Sequence, residues 1–454
     1  MIFSRKYTQR MLTALSALVL SSLCLSPAST AQAATNAMPY AHEIKSLTSE
    51  DYKDLAFLKP LLAGKTVVSL GENFHRVGEY ASLKTRLVKY LHEELGFEVI
   101  AFESGLGEAA MVNNVADEVD AATMMYNSIF DVWKSKETLE LFNYIKKTRQ
   151  TSAPLQLAGY DMQYTSQILT IAVRSFISKV NIPYAKAFMD FDSEAMQSYY
   201  SLREQYGLEQ KMDRGYQQKL KQIIEQVVPT YKEYIQYIRE RRELFDAAYP
   251  QDPYMTETIL KGLEDRIHYL QQGQIIDTQE FYEFRDRIMA EHVEWLMKVR
   301  YPGKKIILWA HNEHLAKNTS KIRIWEQGKW QNSFTSMGEL LHQRLKDKMY
   351  VMGFYMNRGK AAAISTLKEF PIGPMPKGTL EARILQSGYS RTFVDLSRHT
   401  AVNSGNSWMF KPVYAGEDGL TREVIVPMAM KFVPKEQFDG LVVIDKVNPP
   451  TVEY

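Results

Sequence analysis

The sequence predicts an α/β fold, with a mostly parallel central sheet flanked by helices and a helical insertion or cap. Three observations lead there. Short apolar runs alternate with helical patterns, a polar cluster follows each of four such runs, and one long stretch keeps a helical period throughout. At 454 residues, 45% hydrophobic and 24% charged, the chain can bury a large core without disulfides or a structural metal. The same balance excludes disorder, collagen-like repeats and coiled coil as dominant states.

The first 33 residues stand apart. Arg5, Lys6 and Arg10 make a basic start, Met11 to Leu25 is apolar, and Ala31-Gln32-Ala33 offers a small-x-small cleavage site. This pattern predicts a secretory signal peptide cleaved near Ala33, too short for a convincing membrane anchor, and a secreted or periplasmic protein. Leu23 stands before Cys24 where lipidation wants a small residue. Cys24 is the only cysteine, so the mature chain, residues 34–454, has no disulfide, thiol nucleophile or thiolate metal site. Losing three basic residues takes the formal charge from +2 to −1. A near-neutral protein gives no electrostatic case for nucleic acid or an anionic membrane as partner.

The apolar runs read as buried strands. Thr66–Leu70 leads into Gly71-Glu-Asn-Phe-His75, and Val99–Phe102 into Glu103-Ser-Gly105. Leu155–Ala158 leads into Gly159-Tyr-Asp161, and Ile306–Trp309 into Ala310-His-Asn-Glu-His314. Apolar residues at 80, 83, 87, 91 and 95 mark one helix face, which Gly96 ends. From about Ser166 to Arg300 the pattern predicts a helical cap broken at Pro229, Pro250 and Pro253. Further strands are expected at Tyr350–Phe354, Ala361–Ser365, Thr392–Leu396 and Leu441–Ile444.

In open parallel sheets, ligands bind beyond the carboxyl ends of the strands. The four clusters should therefore converge, bringing together Glu72, His75, Glu103, Asp161, His311 and His314. Each residue has an ordinary reading too: a strand-end acid can cap the next helix, and a lone histidine can serve only structure. Their joint placement after different strands favours a site. No Gly-x-Ser-x-Gly elbow, Walker loop or His-Glu-x-x-His helix occurs, and Gly105-x-Gly107 lacks the third glycine of a dinucleotide fingerprint.

From Gly71-Glu-Asn-Phe-His75 onward the chain resembles the erythromycin esterase family. The resemblance continues through Glu94-x-Gly96-Phe97, Ala101-Phe-Glu103, Trp133-x-x-x-Glu137, Gly159-Tyr-Asp-Met-Gln163, Arg285-Asp286-x-x-Met289-Ala290 and Trp309-Ala-His-Asn-Glu-His314. Ser336-Met-Gly-Glu339 and Phe438-Asp-Gly440 complete an ordered set across nearly the whole mature chain. It implies hydrolysis of a macrolide lactone without a cofactor. His75 is then the general base, Glu72 and Glu103 stand beside it, and His311 and His314 complete the catalytic set. Lys84, Asp161 and Arg285 are expected to bind substrate. Lys84 stands where the family's arginine is expected, and Glu313 where a small residue is common between the last two histidines.

The chemistry is sensible in its own right. Histidine's ordinary pKa of ~6.5 suits a water-activating base, and a neighbouring carboxylate orients the ring. The pH profile should rise near that value, shifted upward where Glu72 or Glu103 is ionised beside the ring. Three histidines and two glutamates could also bind a divalent metal, which keeps a metallohydrolase as the alternative. A non-enzymatic, exopolysaccharide-associated protein is the third reading, against which the retained His/Glu set argues. The cap tyrosines 199, 200, 231, 234 and 237 are candidates for a wide substrate cleft, or simply pack the cap's own helices.

Overall fold

A computed structural model describes residues 38, 40–207, 212–326, 328–417 and 424–452; the expected signal peptide lies outside them. In chain order the strands are β1 (Ala41–Glu43), β2 (Val67–Leu70), β3 (Phe97–Gly105), β4 (Gln156–Asp161), β5 (Lys305–Trp309), β6 (Arg323–Glu326) and β7 (Lys329–Asn332). They continue with β8 (Met349–Ala362), β9 (Glu369–Ile372), β10 (Arg391–Asp395), β11 (Val413–Glu417), β12 (Val426–Phe432) and β13 (Gly440–Val447). One sheet has the order β1-β10-β13-β8-β2-β5-β3-β4, with β9 added beside β8. From β13 to β4 every neighbour is parallel, whereas β1, β10 and β9 join antiparallel. This is the expected α/β architecture.

The parallel strands are apolar on both faces because helices cover both. β2 has all four residues buried. The helix Gly78–Leu95 shows how local sequence sets the packing. Tyr80, Leu83, Leu87 and Leu91 are buried along it, and Gly96 ends it with φ 67°, its N–H reaching back to the His92 and Leu91 carbonyls. Lys84 lies on the same buried side.

Between β4 and β5 the chain is helical, from Ile168–Ser178 through Ile182–Tyr206, Arg214–Glu240, Arg242–Ala248 and Met255–Gln272 to Thr278–Trp295. Pro229 does not break this region: it lies inside the helix Arg214–Glu240. A proline inside a helix costs ~3 kcal/mol, and burial of Val228, Tyr231, Tyr234, Ile235 and Ile238 around it offsets that cost. Pro250 and Pro253 do fall in a turn. Most of the tyrosines considered for a cleft belong to this region's own core. Tyr199, Tyr231 and Tyr234 are buried in it, and Tyr200 and Tyr237 pack against it.

Two further expectations change. Ala361–Ser365 is not a separate strand, since β8 runs on through Ala362. A second, antiparallel sheet, β11-β12-β6-β7, was not anticipated. β6 and β7 are four residues each and rich in polar side chains, and Pro427 interrupts the apolar run of β12, so the pattern does not announce a sheet.

Candidate active site

Strand register gathers the site. Leu70 of β2 pairs with Trp309 of β5, Trp309 with Phe102 of β3, and Phe102 with Gly159 of β4. These four residues form one rung, and the residues just past it are Glu72, His311, Glu103 and Asp161. The clusters meet because the parallel strands end together. Gly71 must lack a side chain, since a Cβ there would sit 2.1 Å from Asn312 Oδ1. Asn312 itself ties the β5 loop to β8, donating to the Phe354 carbonyl at 3.0 Å and accepting its N–H at 3.3 Å.

Glu72 is buried and fully committed. Its Oε1 lies 2.8 Å from His75 Nδ1 and accepts the Trp133 indole N–H at 2.5 Å, while Oε2 accepts from Lys84 Nζ at 2.6 Å. Burial pushes the Glu72 carboxyl up, but Lys84 and His75 outweigh it and hold it below the usual range. Lys84 has no exposed surface and sits 4.2 Å above the Trp309 ring. Burial lowers its ammonium to about 8, against the pull of Glu72. The residue expected to bind substrate thus lies behind the carboxylate. A helix position alone does not show how deep its side chain is buried.

His75 follows β2 in a loop, not on a helical turn, and does not cap the next helix, whose N-cap is Val77. Its Nδ1 faces Glu72, so the Nδ1–H tautomer leaves a lone pair on Nε2. Its side chain keeps 18% exposure. Burial lowers its pKa below 6.5, with Glu72 opposing and His311 adding to the fall. The His75 and His311 rings lie 5.3 Å apart at 61°, on the same side of the sheet.

A second set of charges stands beside this pair. Arg285, from the helix Thr278–Trp295, donates to both Asp161 oxygens, with Nη2 at 2.5 Å from Oδ2, and to Glu103 Oε1 at 2.7 Å. Its Nη1 is 3.2 Å from His314 Nε2, and His314 Nδ1 is 2.9 Å from Asp286. Burial pushes Glu103 up, but His314, Arg285, His75 and the His311 backbone N–H hold it at about 2. Burial opposes a charge on His314, yet Asp286 and Glu103 raise its pKa above the ordinary value. Asp161 has no exposed surface and Arg285 only 7%, so both act from within the wall of the site. Asp161 serves Arg285 rather than a helix cap.

His311 caps the short helix Asn312–Leu315, its Nδ1 accepting the Glu313 N–H at 3.3 Å. Its Nε2 lies 3.3 Å from Glu417 Oε1. Glu313 is buried, and burial raises its pKa despite His311 and His314. Reading the sequence missed Asp286, Trp133 and Glu417 as parts of the site. Asp286 and Trp133 stood in quoted motifs, whereas Glu417 carried no local signal. Among the described residues, no group of three or more His, Asp or Glu side chains has the arrangement of a metal site.

Carboxylate-supported histidines at the carboxyl edge of an α/β sheet define a broad class of sites suited to acid–base chemistry. Comparison with known proteins narrows the class. The erythromycin esterase family model matches residues 92–447, and the chain belongs to that family. It is 32% identical over 415 residues, 88% of each chain, to YbfO of Bacillus subtilis (strain 168), which carries a provisional hydrolase name. It is 21% identical to the erythromycin esterase type II of Escherichia coli, over 89% of this chain and 95% of that one. An erythromycin esterase variant solved in an open conformation shares the fold with TM-score 0.60, 16% identity and coverage of 90% and 98%. The family and these relatives make the protein a hydrolase.

Proposed function

We propose that this hydrolase opens the ester of a macrolide lactone, or of a related large-ring ester, with water activated by His75. The observation that carries the reading is the His75 ring, fixed by Glu72 through Nδ1 and partly exposed beyond the carboxyl end of β2. His75 Nε2 takes a proton from water as the water oxygen bonds to the ester carbonyl carbon. The acyl C–O bond then breaks, and the proton passes from His75 to the departing alkoxide, leaving a hydroxy acid. Glu72 stabilises the transient imidazolium, and buried Lys84 keeps Glu72 ionised. The His311 ring, 5.3 Å from His75, stands beside the reacting carbonyl and stabilises charge growing on its oxygen.

We read the reaction as independent of a metal cofactor. The carboxylates that could bind a cation are already engaged, Glu72 by Lys84 and Glu103 and Asp161 by Arg285. Metal analysis with activity before and after chelation tests this, and loss of turnover on removing bound metal would reject it. We also propose that residues 1–33 direct export and are cleaved, which N-terminal sequencing of the secreted protein would check. For the substrate, mass spectrometry of a macrolide panel should show a product ~18 Da heavier, the mass of the water added across the ester in base-activated hydrolysis. An unchanged panel alongside turnover of simple esters would reject the macrolide assignment.

A further inference from the structure

Glu417, the last residue of β11, is held against His311 by an elaborate local frame. Asn73, between Glu72 and His75, donates from Nδ2 to the Gly416 carbonyl at 2.9 Å. The Tyr80 hydroxyl donates to Asn73 Oδ1 at 2.7 Å, fixing the amide's orientation. On its other side the Gly416 N–H donates to Glu381 Oε1 at 2.7 Å. The loop that carries His75 thus also anchors the peptide before Glu417.

The consequence falls on His311. Its Nδ1 accepts the Glu313 N–H, so in the neutral ring the proton resides on Nε2, 3.3 Å from the Glu417 carboxylate. Glu72–His75 is the counterpart with the ring nitrogens exchanged, Nδ1 on the carboxylate and Nε2 turned away from it. The two carboxylate–imidazole pairs meet ring to ring at 5.3 Å.

We propose that Glu417 is a positioning residue for hydrolysis, locking His311 as the Nε2–H tautomer beside the base. This rests on the reading of His75 as that base. A carboxylate facing an imidazole N–H fixes the ring's tautomer and orientation, and here it holds His311 beside the base. A merely structural Glu417 would only satisfy a buried ring nitrogen. Gln, of equal size and also able to accept the N–H, would then replace it without kinetic effect.

The test compares wild type, Glu417→Gln and His75→Ala on erythromycin and on p-nitrophenyl butyrate, with ¹⁵N NMR of the histidine rings. We expect folded Glu417→Gln to lose about 10–100-fold in kcat with KM changed less than about threefold, and the His311 Nε2–H signature to weaken. If His75→Ala abolishes turnover while folded Glu417→Gln stays within about twofold of wild type, this inference falls and the functional reading stands. If His75→Ala stays active, the functional reading falls; an unaltered His311 tautomer in Glu417→Gln would then overturn the positioning role as well. Should Glu417→Gln fail to fold, the wild-type spectrum decides, since His311 observed as the Nδ1–H tautomer would overturn the proposal.

Discussion

The imidazoles of His75 and His311 meet at 5.3 Å, although 235 residues of chain, most of them helical, separate the two positions. Each ring has a glutamate within hydrogen-bonding or ion-pair range, Glu72 at 2.8 Å and Glu417 at 3.3 Å. The first of these contacts is local, three residues along the chain. The second depends on strands from two different sheets.

The first prediction concerns the base itself. His75→Ala or His75→Asn should lose about 10²–10⁴-fold in kcat, the usual worth of a general base, with a smaller change in substrate binding. The measurement is kcat on a variant shown to be folded by circular dichroism. A folded variant within about tenfold of wild type would remove His75 from the mechanism.

The pH profile should be bell-shaped. Burial lowers His75 below 6.5, so the acid limb should rise with a midpoint under 6.5; the upward shift that ionised glutamates alone would cause is overridden. On the alkaline side, Lys84 loses its proton at about 8 and Glu72 loses its counter-charge, so activity should fall there. Lys84→Arg should remove or displace that alkaline limb, because arginine does not titrate in this range. An alkaline limb unchanged in Lys84→Arg would show that another group governs it.

Arg285 should matter for stability as well as activity. Arg285→Met leaves Glu103 and Asp161 buried without their cation, a change that usually costs about 3–5 kcal/mol. Arg285→Lys should recover only part of the loss, since an ammonium cannot span both carboxylates with a planar fork. Urea midpoints of the three proteins would check this, and equal midpoints would contradict it. In wild type, Glu103 at about 2 against an ordinary 4.5 contributes stability above 4.5, lost as pH falls toward 2. That acid-labile part should shrink in Arg285→Met.

Pro229 offers a prediction remote from the site. It is exposed within the helix Arg214–Glu240, so Pro229→Ala can restore an N–H to the helix without opening a cavity. The variant should be stabilised by about 1–3 kcal/mol with kcat unchanged, a gain reduced somewhat by the freer unfolded chain. A lowered thermal midpoint would show that the surrounding helices are fitted to the proline.

The parallel strands and the polar loops after them were legible because burial on both faces leaves continuous apolar runs, and because ligands gather where such strands end. Glu72, His75, Glu103, Asp161, His311 and His314 follow from that pattern alone. The helix Gly78–Leu95 was equally plain, its apolar period and Gly96 both being local. Tertiary structure alone decided the rest. It turned Lys84 and Asp161 into buried partners of Glu72 and Arg285, carried a helix through Pro229, and set Glu417 against His311. Periodicity reports which face of an element avoids water. Pairing between charges far apart in the chain depends on how elements pack, and a polar strand such as β7, or a carboxylate at the end of β11, leaves no apolar signature of the partner it will meet.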